Sequence, residues 1–144
     1  IEIHNPGHEH GYKKFRLKKI LSLKKLLKQL LKKYKIETDC ILGHSDIAPN
    51  RKKDPGEKFP WKKLAKENLC LWHFLNEKNI KKFRKKKISL NDKNIFFNNL
   101  LKIGYSRFDR KSLITAFQRR FRQELINGKI DKECFLISKN LIKL

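Results

Sequence analysis

The residues of this chain whose types and spacing could support chemistry lie in one polar loop, from Gly43 to Gly56. The loop reads GHSDIAPNRKKDPG and carries His44 and Asp54 ten positions apart. Imidazole nitrogen and carboxylate oxygen are both ligands that zinc accepts. Lys52 lies two positions before Asp54, so its ammonium group could enter the same site and stabilise an oxyanion. Spacing alone leaves open that Asp54 only forms a turn and that His44 is a surface residue.

The sequence before and after the loop predicts the elements that would position it. Residues 1–4 and 38–43 are typical of strands. Between them, apolar residues from Leu17 to Tyr34 recur at helical spacing, with lysines on the other face. A second amphipathic helix after Pro60 is predicted from Trp61, Leu64, Ala65, Leu69 and Trp72. This order predicts an α/β fold, an incomplete domain with a mixed sheet and flanking helices.

The C-terminal part predicts a small all-α domain. Its three helical patterns cover Ile95–Ile103, Arg110–Phe121 and Lys132–Ile142. Asp109 and Asp131 stand at N-cap positions, and Gly104 follows the first pattern, where a C-terminal glycine belongs. The predicted core is Phe96, Leu100, Leu113, Phe117, Phe121, Phe135 and Leu141. We therefore expect a compact three-helix domain over residues 92–144.

Charge and composition restrict the partners without choosing one. The 144 residues include 37 Lys+Arg and 14 Asp+Glu, a net charge of +23. Such a charge favours a polyanion: nucleic acid, anionic lipid or an acidic cell-wall polymer. Residues 76–91 contain the basic run Lys81–Lys87, which is typical of a nucleic-acid patch or of a solvated linker. We interpret this segment as a basic linker between domains 1–75 and 92–144.

Other features of the sequence exclude some classes of protein. The cysteines Cys40, Cys70 and Cys134 form no CxxC pair or disulfide framework. The apolar runs are too short to span a membrane, and no signal peptide is visible. The chain contains no Met and begins with Ile1, which indicates a processed protein or a fragment.

The loop, continued by Phe59-Pro60-Trp61, closely resembles the motif of zinc-dependent N-acetylmuramoyl-L-alanine amidases. This group is related to phage-lysozyme amidases and peptidoglycan recognition proteins. The resemblance implies that His44 and Asp54 bind Zn²⁺ and that Lys52 assists the transition state. Residues 1–3, followed by Asn-Pro-Gly, resemble the family's strand that bears a catalytic glutamate. Glu2 would then be the general base, whereas an exposed strand glutamate is the alternative.

The family's third zinc ligand is a histidine on an early strand, upstream of the glutamate. No residue of this sequence corresponds to it. His4, His8 and His10 form a cluster that could bind metal adventitiously, but they follow the predicted strand end. His73 is interpreted as a helix-end residue. The resemblance therefore implies a chain that covers the C-terminal half of the catalytic domain.

The C-terminal helical patterns are similar to the peptidoglycan-binding domain that follows some bacterial amidases. The segments that carry this similarity are Leu100–Tyr105, Ala116–Arg122 and Asn127–Asp131. The predicted partners are peptidoglycan and muropeptides, with no nucleic acid expected. The resemblance implies the periplasm or cell envelope, and relatives without the added module include cytoplasmic enzymes.

The resulting prediction is a peptidoglycan hydrolase. It would cleave the amide between N-acetylmuramic acid and L-alanine of the stem peptide with zinc-activated water. Two alternatives from other classes remain: a non-catalytic cell-wall-binding remnant and a basic nucleic-acid-binding protein. The last would draw on the net charge and on Arg119, Arg120 and Arg122.

Overall fold

The computed structural model describes residues 1–143 as helices joined by irregular segments. The α-helices are α1 (Leu17–Tyr34), α2 (His44–Ile47), α3 (Trp61–Ala65), α4 (Glu77–Lys81), α5 (Leu90–Ile103), α6 (Arg110–Phe121) and α7 (Lys132–Leu141). A 3-10 helix, Thr38–Cys40, lies between α1 and α2. Within residues 1–143, no helix has both the length and the apolar character that a membrane crossing requires.

The predicted α/β fold with a mixed sheet is wrong, because the described residues contain no β-strand. Residues 1–3 are irregular, and the segment from Thr38 to Cys40 is a 3-10 helix. Ile41 and Gly43 do have extended backbone angles, as the pattern indicates. An extended segment becomes a strand only by pairing with another, and among residues 1–143 no two segments form such a ladder.

The long helix α1 has the predicted bounds and buries part of the predicted apolar face. Ile20, Leu23 and Leu27 are its buried residues. They belong to an apolar cluster with Trp61 and Leu64, which lie on α3. Burying an aliphatic side chain of this size contributes about 2 kcal/mol to folding, so this face fixes α1 against the segment that follows the loop.

The helix after the loop is shorter than the sequence predicts. A continuous helix through Trp72 is wrong, since α3 ends at Ala65. The chain then turns at Asn68, which has a left-handed φ of 55°, and the Leu69 N–H donates back to the Leu64 carbonyl. The turn brings Leu69 into the same cluster as Leu64. Apolar burial is thus achieved by reversing the chain rather than by extending the helix.

The three C-terminal helices are confirmed, with the predicted caps. Asp109 accepts a hydrogen bond from the Ser112 N–H, and Asp131 accepts one from the Cys134 N–H. Gly104 ends α5 with φ 106°. The first of these helices starts earlier than predicted, at Leu90, because Ser89 caps it. All the predicted core residues are buried: Phe96, Leu100, Leu113, Phe117, Phe121, Phe135 and Leu141.

The segment between the two predicted domains is anchored to α7. Ile80 is buried in the C-terminal apolar cluster. Arg84 donates two hydrogen bonds to the buried carboxylate of Glu133, at 2.6 and 2.8 Å. The Lys85 N–H donates to Asp131. The partly buried Trp72 contacts both apolar clusters, so the N-terminal and C-terminal parts share a junction. The division into domains 1–75 and 92–144 stays a prediction.

Candidate metal and catalytic site

The two predicted metal ligands meet at the ends of the polar loop. His44 Nδ1 lies 2.5 Å from Asp54 Oδ2. Both side chains are open to solvent, with exposed fractions of 66% and 56%. The backbone closes the loop at the same place, because the Ser45 N–H donates to the Asp54 carbonyl at 2.9 Å. Two groups ten residues apart are therefore adjacent, and their ligating atoms face each other.

The interior of the loop is ordered by short-range backbone hydrogen bonds. The Ala48 carbonyl accepts from the N–H groups of Arg51 and Lys52, at 3.2 and 2.9 Å. Ala48 and Pro49, within the loop, are buried, whereas Asn50 is exposed. Such a turn satisfies backbone groups without a strand partner. The residues between the two ligands thus form a compact turn.

Tyr12 holds the Asp54 end of the loop from outside. Its hydroxyl donates to the Pro55 carbonyl at 2.7 Å and accepts from the Lys58 N–H at 2.8 Å. The His8 ring stacks on Tyr12, with centroids 4.4 Å apart, and His8 Nε2 lies 3.0 Å from Glu57. Burial raises the pKa of Tyr12 to about 12, so the hydroxyl keeps its proton as a donor.

Two glycines allow the loop to close this tightly. A Cβ on Gly43 would lie 2.5 Å from Pro55 Cδ and 3.3 Å from the Trp61 ring. A Cβ on Gly56, which has φ +78°, would lie 2.6 Å from the Tyr12 hydroxyl. Glycine at both positions therefore leaves the space that the two ends of the loop need to approach their neighbours this closely.

The His44 end of the loop is held by a buried polar cluster that the sequence interpretation missed. Asp46, two residues after His44, accepts from Arg120 Nη1 at 2.7 Å and from the Tyr105 hydroxyl at 2.8 Å. It also accepts from the Gly43 N–H at 2.8 Å. The one local feature of the sequence that indicates a buried Arg120 is its position three residues after Phe117, on the core-facing side of α6.

The other predicted catalytic residues are not joined to this pair by direct contacts. Glu2 is exposed in the irregular N-terminal segment, and Lys52 is half-buried in the loop. Neither side chain has a hydrogen bond or ion pair with another residue in the range 1–143. Their predicted roles as general base and oxyanion stabiliser stay predictions.

The remaining histidines do not complete a metal site in the described structure. His4 and His10 are exposed, and His8 contacts Glu57. His73 is buried with Nδ1 unpartnered, and burial lowers its pKa to about 4. No group of three or more His, Cys, Asp or Glu side chains that could hold a metal ion occurs within residues 1–143.

The donor set at the loop fits part of a zinc site. One imidazole nitrogen and one carboxylate oxygen are adjacent and accessible, which matches the nitrogen and oxygen ligands that zinc takes. A catalytic zinc site has three protein ligands and one open position. The described residues therefore supply two suitable ligands, His44 and Asp54.

The comparisons with known proteins agree on one family. Residues 1–57 match the family model described as N-acetylmuramoyl-L-alanine amidase. The chain is 29% identical to the N-acetylmuramoyl-L-alanine amidase AmiD of Escherichia coli, over 99% of this chain and 56% of that protein. It is 49% identical over 43 residues to the 1,6-anhydro-N-acetylmuramyl-L-alanine amidase AmpD of Haemophilus influenzae, 29% of this chain and 23% of that protein.

Solved structures show the same relationship. The complex of Escherichia coli AmiD with anhydro-N-acetylmuramic acid-L-Ala-D-γ-Glu-L-Lys superposes with TM-score 0.78 at 28% identity, covering 92% of this chain and 54% of that one. AmpDh3 from Pseudomonas aeruginosa gives TM-score 0.77 at 29% identity, with 92% and 55% covered. The chain thus spans about half the length of AmiD and AmpDh3. These findings confirm the predicted resemblance to N-acetylmuramoyl-L-alanine amidases.

Proposed function

We propose that this chain carries catalytic residues of a zinc-dependent N-acetylmuramoyl-L-alanine amidase. The observation that carries the proposal is the contact between His44 Nδ1 and Asp54 Oδ2, inside the region that matches the amidase family. The reaction is hydrolysis of the amide between N-acetylmuramic acid and L-alanine of the stem peptide. The anhydromuropeptide bound in the similar AmiD structure contains such a bond, which supports this substrate class.

The chain's own residues have distinct roles in this proposal. His44 and Asp54 would hold the metal, and Zn²⁺ bound there would supply the polarisation that lets water attack an amide carbonyl at neutral pH. Glu2 accepts a proton from the attacking water and returns it to the leaving amine. Lys52 places a positive charge where the carbonyl oxygen becomes negative. The exposure of both ligands leaves room for a polymeric substrate.

The C-terminal part, predicted as a domain over residues 92–144, is proposed to bind peptidoglycan. The carboxylates of stem peptides attract a chain with a net charge of +23. Retention on an insoluble polymer raises the local concentration of the cleavable bond around the loop. The accompanying location is the periplasm or the cell envelope, where this polymer is found.

Product analysis tests the amidase proposal. The chain would be incubated with Zn²⁺ and anhydro-N-acetylmuramic acid-L-Ala-D-γ-Glu-L-Lys, and products would be identified by mass spectrometry. We expect release of the free tripeptide and the free anhydro-sugar. Release should be lost in His44→Ala and Asp54→Ala. It should be retained in the control variant His10→Ala, which also removes an exposed histidine. Equal release by His44→Ala would contradict the proposal.

A second candidate function is binding of the cell wall without catalysis. It is favoured by the finding that no three-ligand metal cluster lies within residues 1–143. Under this proposal the chain is retained on purified sacculi at high salt, and His44→Ala is retained equally. Retention without product release would favour binding alone, whereas release that depends on His44 would favour the enzyme.

A further inference from the structure

The contact between the loop and the C-terminal helices is a buried ion pair. Arg120 Nη1 and Asp46 Oδ2 are 2.7 Å apart, and the two side chains are 3% and 4% exposed. Arg120 comes from α6, and Asp46 is in α2, the short helix that begins with His44. The pair joins residues 74 positions apart in the sequence.

The surroundings of this pair satisfy most of its polar atoms. Arg120 Nη2 donates to the Ile41 carbonyl at 3.0 Å, and the guanidinium lies 4.4 Å from the Trp61 ring centroid. The second carboxylate oxygen of Asp46 accepts from the Tyr105 hydroxyl at 2.8 Å. Burying two charges is unfavourable unless hydrogen bonds and geometry compensate. Among the described residues, Arg120 Nε is the buried atom of this pair that lacks a hydrogen-bond partner, so most of the cost is compensated and the pair links its two elements.

The arrangement fixes the backbone on both sides of His44. The carboxylate of Asp46 binds the Gly43 N–H, the residue directly before His44. The Ile41 carbonyl is held by the same arginine. Just beyond the loop, Gln123 donates to the Phe59 carbonyl at 2.8 Å. The C-terminal part of the chain therefore contacts the residues before, within and after the ligand-bearing segment.

We propose that Arg120 and Tyr105 are positioning residues for His44. Acting through Asp46, they hold the first turn of the loop so that the imidazole faces Asp54. The C-terminal helices would then take part in assembling the site, in addition to any binding of the cell wall. This proposal rests on the function proposed above in one respect, because it takes His44 to be a metal ligand.

Arg122 offers a matched control on the same helix end. It is buried like Arg120, and it pairs with Asp131 and Glu133, both within the C-terminal part. Within residues 1–143, neither carboxylate has a hydrogen bond or ion pair with the loop, since their partners are Arg84, Lys85, Arg122 and Cys134. Loss of Arg122 therefore removes a buried ion pair from the C-terminal helices and leaves the Asp46 contacts in place.

Hydrogen exchange tests the proposal without using activity. Amide exchange in residues 43–54 would be measured relative to the amides of α6 in the wild type, Arg120→Ala, Arg122→Ala and Tyr105→Phe. We expect loop exchange to rise about tenfold in Arg120→Ala and less in Tyr105→Phe. In Arg122→Ala the ratio of loop exchange to α6 exchange should match the wild type.

The imidazole of His44 gives a second signal in the same variants. Its ring resonance, assigned by its loss in His44→Ala, should shift in Arg120→Ala and stay unchanged in Arg122→Ala. An unchanged loop in both Arg120→Ala and Tyr105→Phe, or equal changes in Arg120→Ala and Arg122→Ala, would overturn the proposal. If Arg120→Ala does not fold, Tyr105→Phe decides. If the wild-type chain releases no peptide, that result contradicts the proposed amidase activity. The exchange ratios test separately whether Arg120 and Tyr105 position His44.

Discussion

The polar loop and the C-terminal helices are built in opposite ways. In the helices from α5 to α7, Phe96, Leu100 and Phe117 are fully buried, and apolar contact holds the parts together. In the loop, the two side chains that could do chemistry are exposed. Closure there depends on backbone hydrogen bonds and on Tyr12, Asp46 and two glycines.

The difference separates the residues that stabilise this chain from those that could act on a substrate. An exposed ion pair contributes little to stability, whereas a buried aromatic side chain contributes several kcal/mol. Substitutions in the helices should therefore lower the free energy of unfolding. Substitutions at the ligands should change chemistry and leave the fold intact. Three substitutions and one change of pH test this separation, from the largest expected effect on stability to the smallest.

Phe117→Ala should have the largest effect on folding. Phe117 is fully buried between Phe96 and Phe121, so its removal leaves a cavity and should lower the free energy of unfolding by about 4 kcal/mol. Urea unfolding followed by circular dichroism measures the change. Leu90→Ala, which truncates an exposed apolar side chain on α5, is the control. Equal effects of the two variants would contradict the described core.

Mild acid should destabilise the junction through His73. Burial lowers the pKa of this histidine to about 4, and its pKa in the unfolded chain is about 6.5. Between these values the unfolded chain binds the extra proton, so stability is complete above pH ~6.5 and falls as the pH drops. From about pH 7 to about pH 5 the expected loss is about 2 kcal/mol.

The matched variant for this prediction is His73→Leu, which cannot be protonated. Its unfolding free energy should be nearly flat over the same pH range, in which most carboxylates stay ionised. Unfolding curves at a series of pH values provide the measurement. A wild type as flat as His73→Leu would show that His73 does not resist protonation in the folded state.

Ser89→Ala should have a smaller effect, near 1 kcal/mol. The Ser89 hydroxyl accepts from the Asp92 N–H at 3.0 Å and caps α5, and loss of such a cap costs about this amount. Thermal unfolding would report it as a lower midpoint. Ser106→Ala, an exposed serine outside the helices, should leave the midpoint unchanged. An unchanged midpoint in Ser89→Ala would mean that α5 begins elsewhere.

His44→Ala should change the free energy of unfolding by less than about 0.5 kcal/mol, because its contact with Asp54 is exposed. Zinc binding, measured by competition with a chromophoric chelator, should nevertheless weaken. His10→Ala should bind zinc as the wild type does. If His44→Ala lowers the free energy of unfolding as much as Phe117→Ala does, the proposed division between stabilising helices and a chemically active loop is wrong.

The helical part of the fold could be predicted because its determinants are local. Spacing of apolar residues predicted α1 and α6 with the observed bounds, and Asp109 and Gly104 predicted helix ends. The start of α5 was missed because Ser89 lies six residues before the first residue of the recognised apolar pattern, Ile95. The continuous helix through Trp72 was wrong because burial of Leu69 required a turn, which residue spacing does not distinguish from a helix.

The site could be predicted only in part. Family resemblance indicated His44 and Asp54, and the structure brings them together. The strands were wrong because a ladder depends on a partner, and two extended residue patterns do not specify one. The contact of Asp46 with Arg120 joins distant parts of the chain, so a local pattern could indicate that Arg120 faces the core but not that it meets Asp46.

Two of the places where the N-terminal and C-terminal parts meet are the contact of the loop with Arg120 and the junction at Trp72. One tryptophan lies at each place and can report on it by fluorescence. Trp61 lies beneath the guanidinium of Arg120 and beside Phe59, next to the loop. Trp72 stacks on His73 and contacts the Phe121 ring. Intrinsic fluorescence of Trp61→Phe and Trp72→Phe variants therefore follows the two junctions separately. Loosening of the loop and acid opening of the His73 junction can be recorded as two distinct emission changes, without any attached dye.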